Sequence, residues 1–260
     1  MTRLPRRLAH GEEASLVEHL EELRTRLIIS LGAVVILFII TYAFRDTIIG
    51  WLSRPLPDDT KPITLSPTEP FTTSFNVAFY AAIALAIPVL VWQLWAFLAP
   101  ALEERHQRTV VHLVIAATVL LAIGMAFAYW VVLPTAIPFL LNFDSDLYNA
   151  QVRAKDYYSF AIVTILACGI LFELPIFILG LVRLGIVSAA HLRSNRRMGV
   201  GICIIIVVLL PGVDFVSMGL QAIPVLLLFE GSIWAAVFFE KRWAAQGVLP
   251  GRPLTGTGDS

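Results

Sequence analysis

The chain has 260 residues, 58% of them hydrophobic and only 15% charged, with a mean hydropathy of +0.79. These values lie far outside those of water-soluble domains and define an integral membrane protein. A formal net charge of +0 excludes a broad basic face of the sort that holds nucleic acid, so no nucleic-acid partner is expected.

Apolar runs near 20 residues mark membrane helices, because a helix rising about 1.5 Å per residue needs that many to cross about 30 Å of hydrocarbon. Six spans are predicted, over residues 27–44, 73–98, 109–133, 158–181, 198–213 and 216–239, which makes the fold class all-α and polytopic. Ahead of the first span, Leu16, Leu20, Leu23 and Leu27 recur at helical spacing as one apolar stripe. Beside it, Glu18, His19, Glu22 and Arg26 form a charged ridge leading into the membrane. A solvated helix with an ordinary Glu22–Arg26 contact accounts for that ridge as well as a binding site does.

Pro134 and Pro138 are expected to end the third span. The fourth holds one acid, Glu173, 17 residues after Asp156 and 10 before Arg183, so about 15 Å from the cytoplasmic boundary. Insertion of a charge at a helix centre costs about 2.5–3.5 kcal/mol, so Glu173 should face protein or water, either as a functional polar site or as part of a buried hydrogen-bond network. The fifth span is odd. Only 16 residues separate Arg197 from Asp214, about 24 Å of helix, which calls for a thinned bilayer or a tilted helix pair. Asp214 in turn lies 16 residues before Glu230, so the sixth span is also expected to be short, with Glu230 half-buried at the cytoplasmic interface. Residues 1–243 read as one membrane domain and residues 244–260 as a disordered tail. No internal repeat is visible, and Cys168 and Cys203 sit in apolar stretches as small buried hydrophobes.

With both ends placed inside, fourteen of the Lys and Arg residues fall on the cytoplasmic side and five outside (Arg45, Arg54, Lys61, Arg153 and Lys155). Positive loops stay inside, so cytoplasmic N and C termini are expected. The mixed-charge segment before the first span does not resemble a cleavable leader, and the expected home is a bacterial or archaeal cell membrane. Enzyme chemistry finds no support: the five histidines are scattered, and no zinc-protease, serine-hydrolase or nucleotide-loop motif is present. Neither a metal nor a cofactor is expected.

Six short motifs then occur in order: HLEELRTRL from His19, SPTEPF from Ser66, WAFLAPAL from Trp95, GMAFAY from Gly124, FELPIF from Phe172 and PVLLLFE from Pro224. Together they resemble TatC, the receptor core of the twin-arginine protein translocase, across essentially the whole membrane part. The resemblance implies a receptor that binds twin-arginine signal peptides and moves folded proteins with TatA-type and TatB-type partners. It implies the proton-motive force as energy source, self-association in a multimeric complex, and a concave face in the membrane. The implied signal-peptide site contains Glu22 and Arg24, since paired guanidinium groups seek separated carboxylates. A second acidic patch belongs in the loop after WAFLAPAL. There the family's glutamate position is His106, and Glu103 and Glu104 are the expected replacements. Glu173 matches the family's intramembrane glutamate. Met218 stands where the family often has a partner-contacting glutamine, and Gln221, one turn on, is the expected substitute. The competing function is a proton-coupled solute transporter using Glu173 and Glu230.

Overall fold

The computed structural model describes residues 16–57, 60–98, 107–143, 151–183, 186–209 and 215–245. Apart from one isolated bridge pair, regular structure among them is helical, as a chain that must satisfy its backbone within hydrocarbon requires. Helix α1 (Leu16–Ala43) contains no proline and runs unbroken for 28 residues, so the charged ridge is a rigid extension of the first span. Helix α2 (Arg45–Leu52) follows, then α3 (Glu69–Leu98), which passes through Pro88.

The third span does not end where expected. Helix α4 (Gln107–Phe127) passes through a π-helical turn (Ala128–Val132) into α5 (Leu133–Asn142), and the run containing both prolines continues to Asn142. The π turn closes with the Leu133 N–H on the Ala128 carbonyl. Pro134 thereby falls in the first turn of α5, where its missing N–H breaks no bond.

The fourth span, expected over 158–181, lies within one apolar helical stretch, Ala154–Val182, that is interrupted at Glu173. Helix α6 (Ala154–Phe172) ends at Glu173 and α7 (Leu174–Arg183) begins after it. Pro175 has no N–H to give the Leu171 carbonyl, and Glu173 N–H tightens onto Ile170 O at 3.0 Å instead. A short helix α8 (Ala189–Ser194), capped by the Ser188 hydroxyl, precedes α9 (Arg196–Val208). At 13 residues α9 is short, in line with the expectation for the fifth span. Helix α10 (Phe215–Ala245) runs 31 residues around Pro224, with Glu230 at its middle. Among the described residues, five helical segments are long and apolar enough to cross a membrane.

Helix α1 packs along α3, while α3 and α4 pack on α6; α7 and α9 pack on α10. One core joins Leu52, Val77, Val132, Tyr157 and Ala161, and a second joins Leu171, Cys203, Val207, Val225 and Phe229. Both cysteines are buried free thiols. The α4–α6 crossing depends on two glycines. A Cβ on Gly124 would lie 2.7 Å from the Cys168 carbonyl, and one on Gly169 would lie 2.8 Å from Met125 Cγ.

At the end assigned to the outside, Glu69 is 3% exposed yet fully coordinated. Its carboxylate accepts from Arg153 Nε and Nη2, from Leu65 N–H and from Lys155 N–H. These bonds, with the Ile63–Arg153 bridge, fasten the start of α3 to the start of α6. The hydrogen bonds that Arg153 donates to Glu69 also hold the pKa of its guanidinium above the ordinary value. Nearby, the last carbonyls of α2 are taken by tyrosines: Tyr129 donates to Trp51 O at 3.0 Å and Tyr157 to Leu52 O at 2.7 Å. The Tyr129 ring stacks on Trp51 with centroids 3.7 Å apart.

Gly124→Val forces α4 and α6 apart, at a cost of about 1–3 kcal/mol, and lowers the melting temperature of the detergent-purified protein. Gly32→Val, where a Cβ meets nothing within 4 Å, leaves that temperature unchanged.

Candidate functional site

The charged end of α1 is built around one guanidinium. Arg26 donates through Nε (3.0 Å) and Nη2 (2.5 Å) to the same Glu22 oxygen, Oε1. Its remaining terminal nitrogen, Nη1, donates to Gln93 Oε1 on α3 at 3.3 Å. Helical spacing puts Arg26 one turn beyond Glu22, and α1–α3 packing supplies the third partner. The Glu22 side chain is 33% exposed, and its second oxygen, Oε2, accepts no hydrogen bond from a described residue. Arg24 is exposed on another side of α1 and forms no ion pair with a described residue. Gln93 lies five residues before Leu98, so the contact sets the acidic end of α1 beside the end of α3 that leads to Glu103 and Glu104. Those two residues lie outside the described residues.

Glu173 stands at the α6–α7 interruption, half-buried, and its Oε1 is buried with no hydrogen-bond partner among the described residues. Glu230 is engaged: Arg196 Nε at the start of α9 donates to its Oε1 at 2.5 Å, with the Glu230 side chain 25% exposed, half-buried as expected. Gln221 is 2% exposed and Met218 is half-buried, so contact between a partner helix and Gln221 requires local displacement. Asp214 lies outside the described residues.

Two polar positions escaped sequence reasoning. Glu69 sits in SPTEPF, and its position at the head of a helix was the available signal for a coordinated acid. Gln93 was detectable as the lone polar side chain in the inner half of an otherwise apolar helix.

Fold and site define a multi-pass helical membrane protein with acids held at helix ends and at a break within a span. Residues 18–224 match the family model for TatC, the Sec-independent protein translocase protein. The TatC of Magnetococcus marinus is 36% identical over 239 residues, covering 90% of this chain and 88% of that one. The Escherichia coli K12 TatC is 35% identical over 236 residues, covering 89% and 90%. A crystal structure of a twin-arginine translocase receptor TatC superposes with a TM-score of 0.76 at 35% identity, covering 84% of this chain and 99% of that one. The chain belongs to the TatC family. It is a multi-pass component of a protein translocase in the cell inner membrane, with a transport role and not an enzymatic one.

Removing the Glu230 carboxylate frees the start of α9. Glu230→Ala lowers global stability by only about 0.2–1 kcal/mol, as for an exposed pair, yet raises amide hydrogen exchange in the first turn of α9. The exchanged pair Arg196→Glu with Glu230→Arg restores protection.

Proposed function

We propose that this chain is the receptor core of a twin-arginine translocase, binding the consecutive arginines of a signal peptide at the charged end of α1. The observation that carries the reading is the asymmetry of Glu22: Oε1 accepts two bonds from Arg26, while Oε2 accepts none from a described residue and the side chain is partly exposed. A peptide guanidinium forms a charge-assisted bond there. Glu103 or Glu104, on the loop that leaves α3 beside this point, receives the second arginine, and Arg24 orients the complex from the flank.

Six spans with both termini cytoplasmic follow from the charge distribution, with α9 as the short fifth span. The bilayer thins around that span. The Glu173 oxygen, without a hydrogen-bond partner among the described residues, makes the α6–α7 break a polar point within the membrane, on a concave face that receives a substrate or partner helix. TatA-type and TatB-type single-span proteins bind at the fifth and sixth spans near Met218 and, after local displacement, Gln221. Several copies assemble into the receptor complex, and the proton-motive force drives translocation of folded proteins. The competing reading, a proton-coupled solute transporter using Glu173 and Glu230, finds less support, since Glu230 is paired with Arg196.

Binding of a labelled twin-arginine peptide to the detergent-purified chain tests the reading. Glu22→Gln is expected to weaken binding by about 10–100-fold, the loss of one hydrogen bond to a charged group of about 1.5–3 kcal/mol. Changing the peptide's arginines to lysine also weakens binding, and affinity falls with salt. Tight binding indifferent to both changes contradicts it. Glu173→Gln is expected to reduce transport of a folded substrate and to leave peptide affinity unchanged; transport at the native rate returns Glu173 to a structural role.

A further inference from the structure

Gln93 is out of place by composition. From Ala81 to Leu98, α3 carries no other polar side chain apart from its tryptophan indoles, and an amide in such a segment needs a partner close at hand. Its partner is the Arg26 guanidinium, 67 residues away in sequence and already committed through two other nitrogens to Glu22 Oε1. The three side chains therefore form one line from α3 to the exposed carboxylate. Arg26 has a 23% exposed side chain and three of its nitrogens in use, so it is held at both ends.

We propose that Gln93 is a positioning residue for peptide recognition, acting through Arg26 to fix the orientation of Glu22. This rests on the reading of Glu22 as the arginine-binding acid. With Arg26 anchored on α3, the carboxylate presents Oε1 to the protein and Oε2 to the outside, in a fixed direction. A fixed acceptor suits guanidinium, whose planar fork delivers directed N–H bonds, more than ammonium, a compact charge that gains little from orientation. Anchoring therefore contributes to the preference for arginine over lysine as well as to affinity.

In Gln93→Leu, Arg26 loses its third contact, and the Glu22–Arg26 pair becomes an ordinary mobile contact along a helix surface. The test uses the full chain in detergent, with twin-arginine and twin-lysine peptides and native, Gln93→Leu, Gln93→Glu and Glu22→Gln proteins. Gln93→Leu is expected to weaken the arginine peptide by about 3–10-fold, the equivalent of one modest hydrogen bond, and to leave the lysine peptide unchanged, so the arginine/lysine ratio shrinks. Gln93→Glu, which keeps an acceptor for Arg26, restores the ratio. An unchanged ratio in Gln93→Leu, with binding lost in Glu22→Gln, overturns the role of Gln93 and leaves the Glu22 site standing. Equal weakening of both peptides, with a lowered melting temperature, overturns it in favour of a packing role. Binding unaffected by Glu22→Gln removes the site itself, and this inference with it.

Discussion

A carboxylate in or beside hydrocarbon must be paired or leave an expensive orphan, and this chain places four acids under that constraint with different outcomes. Glu69 is saturated by an arginine and two backbone amides and serves as a fixed joint between α3 and α6. Glu230 is joined to Arg196 and sets the start of α9 against α10. Glu22 is half-satisfied, with one oxygen taken and one left over. Glu173 retains a buried oxygen with no partner among the described residues. Glu69, with both oxygens engaged, holds the architecture, while Glu22, Glu230 and Glu173 each keep an oxygen that accepts no hydrogen bond from a described residue.

The helices supply what the acids cannot. Gly124 and Gly169 let α4 and α6 approach until side chains meet backbone, which locates Phe172 and hence the Glu173 break next to α4. Pro175 makes that break by withholding one N–H. The π turn at Ala128–Val132 keeps the third span continuous past two prolines and delivers Tyr129 onto the end of α2. Charged end, intramembrane acid and short fifth helix are thus held in one frame by close helix crossings and a few long-range hydrogen bonds.

Much of this was legible in the chain itself. Apolar run length located the spans because membrane thickness fixes helix length, and the interval before Asp214 announced the short α9. The stripe and ridge around Glu22 were readable because i to i+4 relations are local. What could not be read depends on partners distant in sequence. Nothing near Glu69 names Arg153, nothing near Arg26 names Gln93, and nothing near Glu230 names Arg196. The Pro134 expectation failed for a different reason: a proline ends a helix only if the preceding turn cannot widen, and here it does.

The measurement that bears most directly on the central claim is a solid-state NMR distance between ¹⁵N-guanidinium-labelled arginines of a bound signal peptide and the ¹³C-labelled side-chain carboxyl of Glu22. A charge-assisted bond of about 2.8 Å between nitrogen and oxygen predicts strong dipolar coupling for one of the two arginines, lost in Glu22→Gln. Bound peptide with no arginine coupled to Glu22 would contradict the assignment and place recognition elsewhere on the receptor.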